Sequence, residues 1–209
     1  MNERLRRDRS PRWVHGSGYT LVEVLASIAI MTGGLLGIIS LQGAAVNANR
    51  RAHELTMATN LARRWQERLR RDSYQWNYPN LDSSTSNIGA TWYLRTINPA
   101  IAGTTNWVIP VQPGGVSGPM ESAAFDYLGR DVAVLSSDAF YCVHTRYTTL
   151  LADQLLRAEV RVFWPREGGT RQAGYAACAP DASVRSRMGQ DSTNLRWVYL
   201  AQTLERHEP

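Results

Sequence analysis

The feature that most constrains this chain is an uncharged, largely apolar run of eighteen residues, from Val24 to Leu41. As an α-helix rising about 1.5 Å per residue, such a run extends roughly 27 Å, close to the ~30 Å hydrocarbon thickness of a bilayer. Glu23 directly precedes the run. A carboxylate at bilayer depth costs about 2.5–3.5 kcal/mol and usually has a function and a partner. The sequence therefore predicts a membrane-spanning helix with a functional acid at its start.

The residues around this acid, Gly18–Glu23, read GYTLVE and follow a short basic segment. They resemble the processing motif of type IV prepilins, in which a leader ends in glycine and an aromatic residue, usually Phe, comes next. A small or polar residue, two aliphatic residues and a glutamate then open a long apolar helix. Tyr19 departs from the usual Phe. Farther on, Gly34–Gly37 (GLLG) and the pair Leu41 and Gln42 are similar to the continuation in PilV-type minor pilins. The resemblance covers about the first quarter of the chain.

The resemblance implies a processing site and an assembly residue. Residues 1–18 would be a prepilin leader, removed by a prepilin peptidase that cuts after Gly18 and methylates the new amine of Tyr19. Glu23 would then pair with the charged N-terminus of an adjacent subunit. An amine and a carboxylate buried alone are each costly, and pairing them offsets both costs while fixing the axial register of neighbouring subunits.

The helix should continue well beyond the membrane. Residues 19–78 are expected to form one helix that spans the membrane to about residue 45 and is amphipathic thereafter, with Pro79 ending it. Its apolar or small face recurs in steps of three and four: Ala48, Ala52, Leu55, Ala58, Ala62, Trp65 and Leu69. Charged residues occupy the other side: Arg50, Arg51, Glu54, Arg63, Arg64, Glu67, Arg68, Arg70 and Arg71.

Residues 79–209 have the composition of a β-rich globular domain outside the membrane. The predicted strands are Thr91–Ile97, Asn106–Ile109, Phe140–Tyr147, Leu155–Trp164 and Leu195–Thr203, with loops at Pro110–Pro119 and Pro165–Pro180. The predicted fold class is α+β, type IV pilin-like, with the long helix packed on an antiparallel sheet. Trp65 on the helix and Trp164 and Trp197 on strands are expected to anchor that contact.

Charge gives little support to a nucleic-acid partner. The chain carries a net charge of +5, but its first eighteen residues hold five arginines against Glu3 and Asp8, so removal of the leader leaves 5 − 3 = +2. This basic leader places residues 1–18 in the cytoplasm and the bulk of the chain outside, although Arg50 and Arg51 weaken that bias. Arg185, Arg187 and Arg196, near Trp197 and Tyr199, could form a single-strand platform, but a solvated loop beside a strand is the commoner outcome.

Export makes Cys142 and Cys178, the two cysteines of the chain, a plausible disulfide. No zinc-type spacing, nucleotide-binding motif or hydrolase motif occurs in the sequence, so no metal, cofactor or catalytic residue is predicted. A triad of Asp138 and His144 with Ser136 or Ser137 can be drawn, but most domains of this size offer one. His144 is expected to face a loop or solvent.

Two other interpretations of the first segment remain. A conventional signal peptide could be cut after Gly43-Ala44-Ala45, and a plain signal anchor would need no cut. The apolar run exceeds the usual 7–15 residues of a signal-peptide core. Neither interpretation explains Glu23.

The sequence therefore predicts a non-enzymatic minor pilin of a type IV pilus, held in the bacterial inner membrane with its body in the periplasm and then incorporated into the surface pilus. The resemblance implies sister minor pilins, a major pilin and often a large tip adhesin as partners, in a complex that primes assembly and sits at the tip. The alternatives are a minor pseudopilin of a type II secretion system and a membrane-anchored adhesive or binding module. Whether the pilus serves motility, attachment or DNA uptake is left open.

Overall fold

The computed structural model describes residues 18–77, 86–95, 97–98, 103–110, 122–134, 136–166, 178 and 181–207. The chain divides into a first unit, Met1–Arg50, and a second unit, Arg51–Pro209. A long helix begins in the first unit and ends in the second, and six antiparallel strands follow it. The chain is therefore an α+β protein with a long N-terminal helix, as the sequence predicted. The predicted leader 1–18, apart from Gly18, lies outside the described residues, as does most of both predicted loops.

Helix α1 runs from Leu21 to Ser73 without interruption. It is shorter than the predicted 19–78 by two residues at its start and five at its end. Arg70 and Arg71 lie in its last turn, where cations interact favourably with the helix dipole. Asn77 then takes a positive φ of 67°, a left-handed conformation that asparagine tolerates better than most residues. The helix therefore ends at Ser73, six residues before Pro79.

In the second unit the strands form one sheet in the order β3-β2-β4-β5-β6, with β1 paired to β4. Three strands of eleven residues dominate it: β4 (Tyr141–Leu151), β5 (Leu155–Pro165) and β6 (Leu195–Glu205). The others have two residues each: β1 (Gly103–Thr104), β2 (Ala124–Phe125) and β3 (Asp131–Val132). A short helix α2 (Ala182–Arg187) and a 3₁₀ turn (Met188–Gln190) precede β6.

The three long strands match the predictions at Phe140–Tyr147, Leu155–Trp164 and Leu195–Thr203 to within a few residues at their ends. The strand predicted at Thr91–Ile97 is wrong, because its described residues form bends and a turn. The backbone N–H groups of Trp92, Tyr93 and Leu94 donate to the Asp72 carboxylate at 2.6, 2.7 and 3.2 Å. These N–H groups are therefore unavailable for the inter-strand hydrogen bonds of a β-sheet.

The strand predicted at Asn106–Ile109 is reduced to a single bridge between Val108 and Thr145. Strands β2 and β3, of two residues each, form a hairpin that was not predicted from the sequence. Asp126 organises its turn by accepting N–H bonds from Leu128 (2.9 Å) and Arg130 (2.8 Å). Strands this short give no readable alternation, so only the turn residues signal them.

The main core lies between the second-unit part of α1 and one face of the sheet. It includes Ala58, Leu61, Ala62, Trp65 and Leu69 from the helix and Val143, Leu156, Val160, Val162 and Trp164 from the strands. Two residues assigned to the charged face of the helix are instead buried. Glu54 is 3% exposed and Arg68 3%, whereas Leu55, assigned to the apolar face, is 51% exposed.

Specific contacts explain both buried charges. The indole N–H of Trp164 donates to Glu54 Oε2 at 3.3 Å. The Arg68 guanidinium stacks over the Trp65 ring at 4.7 Å and approaches Asp131 at 3.9 Å. Cation–π contacts and ion pairs of this kind offset the cost of burying a charge.

A second cluster covers the opposite face of the sheet, beneath α2 and the 3₁₀ turn. It contains Ala124, Ala139, Cys142, Phe163, Cys178, Met188 and Leu195, with Trp197 packed against it. The prediction that Trp197 anchors the helix contact is therefore wrong. Val198, Leu200 and Leu204 are the β6 residues that pack on the helix side, because alternate residues of a strand face opposite sides. Both faces of β6 carry apolar residues, so alternation could not identify the helix side.

Candidate functional site

The first turn of α1 contains the predicted processing and assembly residues. Gly18, Tyr19 and Thr20 precede the helix, and all three are exposed, Tyr19 at 82%. Thr20 caps the helix, because the Glu23 N–H reaches its carbonyl oxygen at 3.0 Å and its Oγ1 at 3.3 Å. The peptide bond between Gly18 and Tyr19 thus lies in an exposed segment just outside the helix.

Glu23 lies in the first turn, where the partial positive charge of the helix terminus favours a carboxylate by about 0.3–1 kcal/mol. Thr20 and Glu23 have the spacing of a capping box, so part of the preference for these residues is local helix chemistry. The Glu23 side chain is exposed. Among the residues that the structure describes, no hydrogen bond or ion pair reaches its carboxylate. The local contacts therefore account for its backbone and leave its charge unmatched.

The apolar side chains that follow are exposed in the same way. Leu21 and Ile30 are each 77% exposed, Leu36 63% and Leu41 72%. Two hydroxyls in this stretch are satisfied within the helix, since Ser27 donates to the Glu23 carbonyl at 2.8 Å and Thr32 to the Ile28 carbonyl at 2.7 Å. A surface of this kind requires a lipid or protein covering.

Of the described residues, only α1 forms a helix long and apolar enough to cross a membrane, and none of its most apolar stretch is buried. This supports the coarse part of the localisation prediction, an N-terminal helix suited to a membrane. The structure also contains the predicted disulfide between Cys142 and Cys178. It lies in the second cluster and joins β4 to a residue 36 positions later.

His144 lies beside this disulfide and is fully buried, so the prediction that it faces a loop or solvent is wrong. Its Nδ1 lies 2.8 Å from Arg161 Nη2 and its Nε2 lies 2.9 Å from the Cys178 carbonyl oxygen. A guanidinium can only donate, so Nδ1 accepts and the Nε2–H donates to the carbonyl. Burial, reinforced by the charge of Arg161, lowers the pKa of His144 to about 3.

This geometry argues against the catalytic triad drawn from the sequence. Both ring nitrogens of His144 are already engaged, and neither contacts a serine or a carboxylate. The Ser136 hydroxyl instead accepts from the Asp138 N–H at 3.1 Å, a contact that shapes a local turn. No group of three or more His, Cys, Asp or Glu side chains positioned for a metal occurs within the described ranges.

The fold does not bring together the arginines considered for a nucleic-acid platform. Arg185 Nε donates to the Trp107 carbonyl at 2.8 Å and Arg187 Nε to the Ser183 carbonyl at 3.4 Å. Arg196 lies toward the helix side of the sheet, 3.7 Å from Glu54. Tyr199 belongs to the opposite face, where its register partner is Arg161.

Sequence reasoning missed Arg161 itself. This residue is 1% exposed, and its guanidinium lies over the Trp107 ring, 4.3 Å from the ring centroid, as does that of Arg146, at 4.6 Å. Burial lowers the pKa of Arg161, while a hydrogen bond to Tyr199 opposes that change. Its position in a strand that alternates charged and apolar residues suggested a solvated side chain, and only the layer above the sheet reveals otherwise.

No protein-family model matches the chain, and neither the curated proteins nor the solved structures yield a match. The residues themselves are therefore what indicates a function. Within the described residues, the feature left unsatisfied by the fold is the exposed first-unit helix with the Glu23 carboxylate at its start.

Proposed function

We propose that the chain is a PilV-like minor pilin of a type IV pilus, a structural subunit of the complex that primes assembly and occupies the tip. The observation that carries this proposal is the combination of the GYTLVE motif with an exposed, uncharged helix. A soluble enzyme or binding domain needs no such helix, and a membrane-anchored module needs no acid at its start, whereas a subunit that moves from a membrane into a fibre uses both.

The proposed mechanism has two stages. Before assembly the apolar half of α1 is covered by lipid, and a prepilin peptidase cuts the Gly18–Tyr19 bond and methylates the new amine. During assembly the helix exchanges lipid for the helices of neighbouring subunits. Glu23 then pairs with the cationic terminus of a sister chain, which supplies the partner that its carboxylate lacks among the described residues.

The second unit is proposed to remain outside the helical core of the fibre, where it contacts sister pilins and a tip adhesin. Two internal clusters bury apolar residues on both faces of its sheet, so it does not require the fibre for folding. The Cys142–Cys178 disulfide suits an exported domain of this kind.

The test is replacement of Glu23 by Ala in the full-length chain, with Glu67→Ala as the matched control on an exposed part of the same helix. We expect Glu23→Ala to insert in the membrane and to be processed normally, but to fall at least tenfold in sheared surface fibres analysed by mass spectrometry. Glu67→Ala should be incorporated like the wild type.

Three results would redirect the proposal. Wild-type chain that is absent from sheared pili, together with a secretion defect on its deletion, would indicate a type II pseudopilin. Normal surface display and function of the Glu23→Ala chain would indicate an anchored module. Loss of membrane insertion in Glu23→Ala would mean that the acid serves the helix rather than assembly.

A further inference from the structure

A cleft of about 460 Å³ opens in the second unit between the beginning of its helix and the adjoining ends of β5 and β6. Its lining includes three arginines, Arg51, Arg166 and Arg196, and three large apolar residues, Trp164, Trp197 and Leu55. Clefts of 300–1,000 Å³ with an apolar lining and a few polar groups are typical of ligand sites. We refer to it as the basic cleft.

The basic cleft carries an excess of positive charge. None of its described lining residues is acidic. The buried Glu54 approaches one guanidinium, Arg196, at 3.7 Å. Arg166 donates to the neutral Ser192 carbonyl at 3.2 Å, and a carbonyl does not neutralise its charge. Counting the described lining residues and Glu54, three cations face one carboxylate, and this excess of two positive charges favours an anionic ligand.

The lining is also amphipathic. Trp164 is 2% exposed and Leu55 51%, so the cleft has a buried aromatic wall and an exposed aliphatic rim. Arginines favour phosphate because the planar guanidinium group can donate two parallel hydrogen bonds to it. Tryptophan is enriched where apolar and aqueous phases meet. A ligand that matches both features has a phosphate joined to an apolar chain.

The position of the basic cleft in the sequence indicates where such a ligand would come from. Arg50 and Arg51 are the first charged residues after Glu23, and Arg51 follows the predicted end of the membrane span, at about residue 45, by six residues. Six helical residues extend about 9 Å, which is close to the thickness of one headgroup layer, about 5–7 Å. Basic residues just outside a membrane helix attract anionic lipids by about a factor of five per charge.

We propose that the basic cleft binds the phosphate headgroup of an anionic phospholipid from the membrane that holds the apolar helix. Arg51, Arg166 and Arg196 contact the phosphate, and Leu55 and Trp197 contact the glycerol and the first part of the acyl chain. This inference rests on the membrane stage of the proposed function. It assigns a role to the arginine charges on the outer side, which the positive-inside tendency leaves unexplained.

The test uses the full-length chain in mild detergent, offered equimolar dioleoyl phosphatidylglycerol and dioleoyl phosphatidylcholine, with bound lipid counted by native mass spectrometry. We expect at least a fivefold preference for phosphatidylglycerol. Arg166→Gln should lower it about fivefold, and Arg166→Gln with Arg196→Gln should abolish it. The control, Arg63→Gln with Arg130→Gln, removes the same charge from exposed positions outside the basic cleft and should leave it unchanged.

Equal binding of the two lipids by the wild type would overturn the inference, as would an equal loss in the control. Displacement of phosphatidylglycerol by millimolar inorganic phosphate would identify a free-phosphate site instead. If Arg166→Gln reduces fibre incorporation while lipid preference is unchanged, the cleft docks an acidic protein segment. Because Arg196 contacts Glu54, the single Arg166→Gln variant keeps the test valid if the double variant fails to fold.

The proposed function and the lipid site can be contradicted by different results. A Glu23→Ala chain that still assembles, but prefers phosphatidylglycerol, would contradict the pilin proposal and leave the lipid site standing. A wild-type chain that is not retained by bilayers would remove the membrane stage and the lipid site together.

Discussion

One helix, α1, belongs to both units of this molecule, and it carries exposed leucine side chains in the first unit and buried ones in the second. In the first unit Leu36 and Leu41 are 63% and 72% exposed, whereas in the second unit Leu61 and Leu69 are 3% and 0% exposed. Burying a leucine side chain contributes about 1.5–3 kcal/mol. The second unit gains that energy from its own sheet, and the first unit must gain it from a lipid or a neighbouring chain.

The two glutamates of this helix differ in the same way. Glu54 is buried and receives the Trp164 indole N–H at 3.3 Å and the Arg196 guanidinium at 3.7 Å. Glu23 is exposed, and its carboxylate has no such contact among the described residues. The acid satisfied within the fold is structural, and the acid left at the helix start is the candidate for assembly. The variants below test this division.

The largest expected effect is on the stability of the second unit. Trp65 is fully buried against Tyr93, with ring centroids 5.2 Å apart. Trp65→Ala should reduce the free energy of unfolding by about 3–5 kcal/mol, because it leaves a cavity between helix and sheet. Leu55→Ala, at an exposed position of the same helix, should cost less than about 1 kcal/mol. Chemical denaturation measures both, and equal losses would contradict the packing described here.

The disulfide should come next. Cys142→Ser with Cys178→Ser opens a loop of 36 residues, and the chain-entropy model gives a loss of about 3–4 kcal/mol in the free energy of unfolding. Membrane insertion and processing should not change, because both depend on the first unit. A variant that unfolds like the wild type would show that the disulfide contributes nothing to stability.

The third change puts a charge in the first unit. Leu36→Arg lies in the middle of the uncharged run and should disfavour membrane insertion by about 2.5–3.5 kcal/mol. Leu36→Met is the matched control and should insert normally. Alkaline extraction of membranes measures the difference, and denaturation of the second unit should be unaffected. If Leu36→Arg is retained in the membrane like Leu36→Met, the run does not span the bilayer.

The fourth effect depends on pH. His144 stays neutral in the fold, with a pKa of about 3, whereas an unfolded histidine titrates near 6.5. As pH falls below 6.5 the unfolded state binds a proton that the folded state does not. Stability therefore falls with decreasing pH, by up to about 1.4 kcal/mol per pH unit until the folded-state pKa is reached, and it is fully retained above pH 6.5.

His144→Gln should flatten this dependence between pH 6.5 and 5, while His53→Gln, at an exposed position, should leave it in place. The measurement is the free energy of unfolding at each pH for the three chains. The slope is compared rather than the absolute stability, because glutamine does not reproduce the packing of the imidazole. Identical slopes in His144→Gln and the wild type would contradict the buried neutral histidine.

The long periodic segments were predictable from the sequence, and the contacts between distant residues were not. The eleven-residue β4, β5 and β6 are long and rich enough in β-branched and aromatic residues to be recognised as strands, and the uncharged run of α1 has a length that only a helix suits. The strand predicted at Thr91–Ile97 failed because one carboxylate, Asp72, binds three successive N–H groups there. The β-propensity of these residues cannot indicate that a carboxylate elsewhere in the chain binds their backbone N–H groups.

The candidate site was predictable for a different reason. Gly18, Tyr19 and Glu23 lie within six consecutive residues, so their arrangement needs no tertiary contact. His144 and Arg161 belong to two strands and acquire their environment from α2, Trp107 and Cys178. A local alternation of charged and apolar residues suggested a solvated side chain for Arg161, and His144 was expected to face a loop or solvent. The layer of residues that covers this face of the sheet takes the place of that solvent.

The most direct test of the central claim, that the exposed half of α1 is a processed assembly element, is the intact mass of the chain recovered from sheared surface fibres. The account predicts a polypeptide that begins at a singly methylated Tyr19, with Cys142 and Cys178 oxidised. A chain that begins at Val46, or one that retains its arginine-rich first eighteen residues, would contradict it.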